Sequence, residues 1–262
     1  MDILNIVKIG GNVVDNRKLL SSFLEQFSFL KGQKILVHGG GKIVTRMANS
    51  MNIKTEMVNG RRITTDEMID VATMTFGGLV NKKIVCELQS LGANALGLTG
   101  ADGNFILADK RPITDSINYG WVGDPTQINE KLLISLIGNG IIPIIAPLTH
   151  DGAGHMLNTN ADTIARMVAV ALSGHFEVEL NYCFELNGVL QKVNDPSSLI
   201  LELTPEKYEL LRKEGVITAG MIPKVENAFD AISNGVRAVR IMSHKSISDL
   251  QNTTKDEYTI IR

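Results

Sequence analysis

The chain has 262 residues, with 26 basic and 28 acidic side chains, a formal charge of −2 and an apolar share of 44%. A globular chain of this size buries roughly three quarters of its unfolded surface without covalent staples, and the composition excludes a disordered protein. The near balance of charge excludes a general nucleic-acid or polyanion binder, and two cysteines, Cys86 and Cys183, exclude a disulfide framework.

Two cysteines without clustered histidines also argue against a structural zinc site. No apolar run approaches the ~18 residues of a membrane span. The first residues, MDILNIVKIGGN, lack a basic segment leading into a long apolar one. A cytoplasmic protein is the expectation.

Short β-branched runs alternate with longer amphipathic ones, the pattern of an α/β protein with a mostly parallel sheet. Ile3–Ile9 reads as a buried strand that ends at Gly10-Gly11-Asn12. Lys18–Phe29 reads as a helix. Lys34–Val37 reads as a second buried strand, ending at His38-Gly39-Gly40-Gly41 and followed by a helix from Lys42 to Met51. Thr65–Leu91 is helical in pattern, with Asp66 and Glu67 favourable at its positive start and Gly77-Gly78 as a kink. Asn94–Leu98 is a third strand, and residues 103–123 read as hairpins with Trp121 in one arm. Glu130–Ile137 is a helix, and Ile141–Ala146 a strand bracketed by prolines. Asn160–Leu172 is a helix with Asp162 in its first turn, and His175–Leu180 a strand. Helices from Pro205 to Lys213 and from Met221 to Ser233 precede a strand at Ala238–Ile241. A boundary near residue 174 divides the chain into a larger and a smaller lobe.

Two early strands run straight into glycine clusters. In an open α/β sheet, ligands sit at the carboxyl ends of strands. Glycine lets backbone N–H groups approach an anion, and a following helix adds its positive end. The two turns together predict one anion cradle rather than two plain turns. The cradle is not a Walker A loop, because Leu36 and Ile43 occupy the places of the first glycine and the hydroxyl residue. Nor is it a dinucleotide fingerprint, since Val44 stands where the third small residue belongs.

Lys8 lies inside an apolar strand, one residue before the first turn. A buried lysine is costly unless it meets an anion; the alternative is an edge strand from which the ammonium snorkels. Lys224, in Gly220-Met221-Ile222-Pro223-Lys224, sits at a helix start, where a cation is electrostatically misplaced. It is either solvated or held by a ligand's charge. Leu157-Asn158-Thr159-Asn160-Ala161-Asp162 gathers two amides and a carboxylate around another helix start. Asn160 as an ordinary N-cap is the plain reading. Should Lys8 and Lys224 converge there, Asp162 orients both. Two lysines and backbone amides without a nucleophile describe phosphoryl transfer, which asks for positioning and charge neutralisation.

VKIGGN, VHGGGK, VNGRRITT, LNTNAD and GVITAGMIPKV follow one another across nearly the whole chain. In that order and spacing they resemble the N-acetylglutamate kinase branch of the amino acid kinase (carbamate kinase-like) family. The resemblance implies an α/β/α sandwich around a largely parallel sheet. Residues 1–174 would bind the acylamino acid and form the dimer, and residues 175–262 would bind the nucleotide. The implied reaction takes ATP and N-acetyl-L-glutamate to the 5-phosphate and ADP, the second step of arginine biosynthesis. N-succinyl-L-glutamate is the alternative acceptor, and a non-catalytic acylamino-acid or nucleotide sensor is a further one.

Carried over by resemblance, Lys8, Asp162 and Lys224 are catalytic. Gly40, Gly41, Arg62 and Asn158 bind the amino acid, and Gly10, Gly11, Glu185, Gly188 and Lys224 bind the nucleotide. Mg²⁺ would arrive with ATP, so no protein metal site is expected. Arg61 carries no assigned role. The nucleotide lobe of such enzymes usually has a hydroxyl residue and an aspartate where this chain has Phe184 and Glu185, and Asn12 replaces a small residue. Trp121 lies in the segment matching the hairpin beside the acyl group. It either reshapes the acyl pocket or simply packs. Arginine-inhibited members carry an extra amino-terminal helix that links dimers into hexamers. Here the first strand begins near residue 3, so the expectation is a homodimer that arginine does not inhibit.

Overall fold

The computed structural model describes every residue except 59, 115, 116, 193, 194, 218–220 and 252–257, with Pro223, Asp249 and Gln251 described by backbone alone. Asn59 and Gly220, both parts of the motifs above, therefore lie outside the described residues.

In chain order the elements are β1 (Ile3–Ile9), α1 (Gly11–Asp15), α2 (Arg17–Phe29), β2 (Gln33–His38), α3 (Gly41–Ser50), β3 (Met57–Val58), β4 (Arg61–Arg62) and α4 (Asp66–Ala72). A π-helix (Thr73–Val80) follows, then α5 (Asn81–Ser90), β5 (Ala95–Leu98), β6 (Ile106–Lys110), β7 (Gly123–Ile128), α6 (Glu130–Gly138), β8 (Ile142–Ile145), β9 (Leu148–His150) and β10 (Met156–Asn158). The last are α7 (Ala161–Leu172), β11 (Glu177–Phe184), β12 (Glu202–Leu203), α8 (Pro205–Lys213), α9 (Ile222–Ser233), β13 (Ala238–Ser243) and β14 (Tyr258–Ile261).

Eight strands form one sheet in the order β12-β14-β13-β11-β1-β2-β8-β5. Its pairs are parallel except β13 with β14. β1 lies at the centre and pairs with β11 over seven residues, from Ile3–Glu177 to Ile9–Cys183. Helices cover both faces, giving the three-layer α/β/α sandwich expected.

The two-residue period of a strand assigns each side chain to a layer. On β1, Leu4 and Ile6 join the core under α6, α7, α8 and α9, whereas Val7 and Ile9 join the core under α1, α2 and α5. On β2, Ile35 and Val37 face α7, and Leu36 faces α5. Lys8 therefore shares the α7 side with Leu4 and Ile6, and His38 shares the α5 side with Leu36. Lys34, on that same side, donates from Nζ to the carbonyls of Phe27, Ser28 and Leu30 at 2.6–2.9 Å and so closes the carboxyl end of α2.

Several boundaries differ from the sequence reading. The expected strand at His175–Leu180 runs instead from Glu177 to Phe184. Its continuation past Leu180 is buried because Asn181 donates to Asn5 on β1 and accepts from Arg240 on β13. Pro143 stands inside β8 rather than beside it. Ile142 N–H reaches Asn94 O toward β5, so the donor that proline lacks would point toward β2, whose pairing starts at Ile144. The helix expected from Thr65 to Leu91 is interrupted between Thr73 and Val80 by the π-helix, which contains Gly77-Gly78. Trp121 lies before the β7 arm, not in it, and the hairpin strands are Ile106–Lys110 and Gly123–Ile128.

Candidate functional site

The two glycine turns meet at the carboxyl ends of β1 and β2. Gly10 N–H donates to Cys183 O at 3.0 Å, and Gly39 N–H to Ile9 O at 3.2 Å. A Cβ on Gly11 would stand 3.6 Å from Gly40 N and 3.9 Å from Gly41 N, so bare backbone faces bare backbone. Gly40 has φ +132° and ψ 22°, a conformation that L side chains rarely adopt. No side chain caps α3 at Gly40, which leaves its leading N–H groups for an anion.

The α7 side of β1 carries the charges. Lys8 Nζ lies 2.6 Å from Asp162 Oδ1, with both side chains largely buried. It is an ion pair by distance, and Oδ1 has no aligned hydrogen-bond donor. Asp162 stands in the first turn of α7 because Asn160 accepts from the N–H groups of Asp162 and Thr163 at 2.8 and 3.1 Å. Lys224, in the first turn of α9, joins them. Burial lowers its ammonium pKa and Lys8 repels it, while Asp162 and Glu185 attract it. The Phe184 ring lies under both ammonium groups, 3.9 Å from Lys224 Nζ and 4.9 Å from Lys8 Nζ. Two cations thus share essentially one carboxylate in a partly buried place, an arrangement that asks for further negative charge.

Beyond the second turn lies a cleft of about 180 Å³. Gly40, Gly41, Arg62, Phe76, Asn158 and Ala161 are among its walls. Arg62 donates from Nη2 to Gly41 O and to Thr45 Oγ1, each at 2.9 Å, and Nη1 has no partner although it is buried. Burial lowers the Arg62 pKa, so a carboxylate meeting Nη1 would relieve a real cost. Asn158 donates to Thr64 Oγ1 at 3.1 Å, and Thr64 donates in turn to Arg62 O at 3.0 Å. Thr45 and Thr64 were not singled out from the sequence. Thr45 sits one helical turn after Gly41, and Thr64 two strand residues after Arg62, and those spacings were the available signals.

A second unforeseen group holds the turn from behind. His38 is fully buried. Its Nδ1 lies 2.9 Å from Gly39 O, which can only accept, so Nδ1 carries the proton. Nε2 then accepts from Asn81 Nδ2 at 3.2 Å, and the same amide donates to Ile144 O at 2.9 Å. Burial pushes the His38 pKa down to about 4. Asn81 begins α5, directly after the π-helix, and Phe76 of that π-helix lies beside Gly40. The extra residue per turn of a π-helix rotates the elements on either side of it. Here Phe76 meets the front of the turn and Asn81 its back.

The remaining predicted residues are distributed differently. Gly188 has Thr259 and Leu199 as neighbours, where a Cβ would meet Thr259 Oγ1 at 2.5 Å. Arg61 lines the cleft and feels Arg111 and Asp124. Trp121 does not line the cleft: its ring stacks on His155 at 4.7 Å, lies under Lys110 Nζ at 3.5 Å and donates to Asp66. Cys183 is buried, with its thiol pushed up to about 12, which removes it as a nucleophile.

The sequence profile of the amino acid kinase family matches residues 4–243. The chain is 52% identical over 255 residues to the acetylglutamate kinase of Cytophaga hutchinsonii, covering 97% of each. It is 50% identical over 253 residues to that of Parabacteroides distasonis, covering 97% of this chain and 99% of the relative. Among solved structures, an N-acetylglutamate synthase from Neisseria gonorrhoeae complexed with coenzyme A and N-acetyl-glutamate superposes with a TM-score of 0.82. That match is 20% identical, covers 98% of this chain and 59% of the other, and speaks to the fold alone.

Proposed function

The chain belongs to the amino acid kinase family, and from that premise we propose that it transfers the γ-phosphoryl group of ATP to the side-chain carboxylate of N-acetyl-L-glutamate. The products are the 5-phosphate and ADP, the second step of arginine biosynthesis. The observation that carries the reading is the pair of lysines gathered on Asp162 beside two touching glycine turns. Phosphoryl transfer needs that equipment: cations and N–H groups around developing charge, and no covalent nucleophile.

In this reading the acylamino acid occupies the cleft of residues 1–174. Arg62 Nη1 takes its α-carboxylate, Asn158 its amide region, and the N–H groups at Gly40 and Gly41 its attacking carboxylate. Lys8 contacts the phosphoryl group in flight. Lys224 neutralises the charge left on ADP, Asp162 orients both lysines, and Gly10 and Gly11 line the phosphate path. Residues 175–262, with Glu185 and Gly188, hold the nucleotide. Mg²⁺ enters as part of the nucleotide substrate. Asp162 is engaged by Lys8.

The enzyme works in the cytoplasm as a homodimer. Supporting the dimer, Met47 on α3, Met51 just after it, and Met74 and Leu79 on the adjoining π-helix are exposed apolar side chains. No helix among the described residues is long and apolar enough to cross a membrane.

The test is ADP release measured with N-acetyl-L-glutamate, N-succinyl-L-glutamate and free L-glutamate side by side. Release that depends on N-acetyl-L-glutamate is expected. A clear preference for the succinyl compound would overturn the acyl assignment, and release indifferent to all three would overturn the reaction.

A further inference from the structure

Phe184 ends β11, next to the central strand. The alternation of β11 puts it on the same side as Leu180 and Tyr182, where it packs against the α7 and α9 core. Its backbone is clamped: His244, just after β13, approaches the Phe184 carbonyl with its N–H at 2.8 Å and its Nδ1 at 3.0 Å. Its ring is confined too. A Cβ on Gly10 would come within 3.2 Å of Phe184 Cδ1, so the first glycine turn leaves room for this ring. The Tyr182 ring runs nearly parallel to it, 8° apart in orientation with centroids 6.3 Å apart.

That fixed ring presents its π system to two cations, Lys224 at 3.9 Å and Lys8 at 4.9 Å. The charged groups acting on Lys224 are Lys8 on β1, Asp162 on α7 and Glu185 after β11. Asp162 is already engaged by Lys8 at 2.6 Å. Lys224 is therefore repelled by one cation and desolvated by burial, with Glu185 and a carboxylate already engaged by Lys8 in return. An aromatic face carries negative electrostatic potential and attracts an ammonium within about 6 Å of its centroid. It also lacks a hydrogen-bond acceptor that would draw an ammonium off its line of approach.

We propose that Phe184 is a positioning residue for phosphoryl transfer, its ring serving as a cation–π platform that keeps the Lys8 and Lys224 ammonium groups together at the mouth of the glycine turns. The proposal rests on the function argued above and adds a group that touches neither phosphate nor acylamino acid. It acts through the two lysines, by holding mutually repelling charges in one place. It also gives a reason for glycine at position 10 beyond anion contact, since a Cβ there would crowd the ring at 3.2 Å and require it to shift.

The test replaces Phe184 with 4-fluoro-, 3,5-difluoro- and 3,4,5-trifluorophenylalanine, which keep the ring's shape nearly constant while draining its face of negative potential stepwise. Expected is a graded fall in kcat/KM for ATP, on the order of 10-fold across the series. The alkaline limb of the kcat/KM profile, which reports free enzyme, should move to lower pH. The Lys224 ammonium titration, followed by NMR of ¹³C-labelled lysine without substrates, should move the same way. Phe184→Leu, which stays apolar but loses the aromatic face, should fall at least as far as the trifluoro variant. A flat fluorine series in an enzyme with wild-type turnover overturns the platform. So does a loss seen only in Phe184→Leu, which would assign the ring to packing. Absence of N-acetyl-L-glutamate-dependent turnover in the unmodified enzyme would overturn the function reading instead.

Discussion

Lys8 Nζ stands 2.6 Å from Asp162 Oδ1, tying the central strand of the sheet to the first turn of α7. The contact sets a compact point charge where the carboxyl ends of the strands meet the glycine turns. An arginine is longer and presents a planar fork, so it cannot occupy the same place. Lys8→Arg should lower kcat by about 100-fold or more while changing the KM for N-acetyl-L-glutamate by less than about 3-fold, because the interaction strengthens in the transition state. Steady-state kinetics decide it. A mutant with near-normal kcat and a raised KM would make Lys8 an anchor only.

Arg62 divides its fork, with Nη2 held by Gly41 O and Thr45 Oγ1 and Nη1 left over. A lysine can satisfy one demand but not both. Arg62→Lys should raise the KM for N-acetyl-L-glutamate by about 10- to 100-fold with the KM for ATP nearly unchanged. An unchanged acylglutamate KM would remove Arg62 from the carboxylate clamp.

His38 makes stability depend on pH in a calculable direction. Its folded pKa is about 4, against 6.5 for the ordinary side chain. The folded value is the lower one, so between these values the unfolded chain binds more protons. Stability from the neutral histidine is then complete above pH 6.5 and is lost as pH falls toward 4. The loss from this group by pH 4 is about 3 kcal/mol. Urea unfolding at pH 7, 5.5 and 4.5 should show this slope, and His38→Gln should flatten it while lowering stability at pH 7. Equal slopes in the two proteins would contradict the assignment.

Much of this was legible in the sequence, for physical reasons. β1 spans the residues read for it, Ile3–Ile9, because a strand buried on both faces reads as a mainly apolar run, here carrying only Asn5 and Lys8 as polar members. The start of α7 was legible because Asn160 is a capping residue that accepts from the next turn. β11 was cut short because Asn181 looks like a strand end. Its burial is satisfied by partners remote in sequence, Asn5, 176 residues away, and Arg240, 59 residues away. The π-helix has no local signal beyond a glycine pair. Lys8 and Lys224 could be named because each is costly or misplaced where it stands, and Asp162 because it stands at the helix start where the two lysines would converge. His38 and Asn81 could not, since each is polar in an ordinary way until the fold brings them together across 43 residues. Trp121 stands in the segment matched to the hairpin beside the acyl group, yet Lys110, His155 and Asp66 occupy its faces and edge.

Gly40 adds a stability prediction with a separable functional effect. A Cβ there would meet Phe76, Val14 and Val80 at 3.5–3.7 Å, ordinary contact distances. The cost of Gly40→Ala is therefore conformational, from φ +132°, and should be about 1–3 kcal/mol, a few degrees in Tm. Because the relaxed turn would also move its N–H groups, the acylglutamate KM should rise with it. Calorimetry with kinetics on one sample checks both, and an unshifted Tm would show that the turn tolerates a side chain.

The reaction is defined by the bond it forms, an acyl phosphate on the side chain of N-acetyl-L-glutamate. Hydroxylamine added during turnover converts such a product to a hydroxamate that can be counted. The measurement is hydroxamate against ADP, with ATP and N-acetyl-L-glutamate present, in the unmodified enzyme and in Lys8→Arg. Expected are one hydroxamate per ADP in the first and a loss of both in the second. ADP formed without hydroxamate, or hydroxamate formed at an undiminished rate without Lys8, would contradict this reaction.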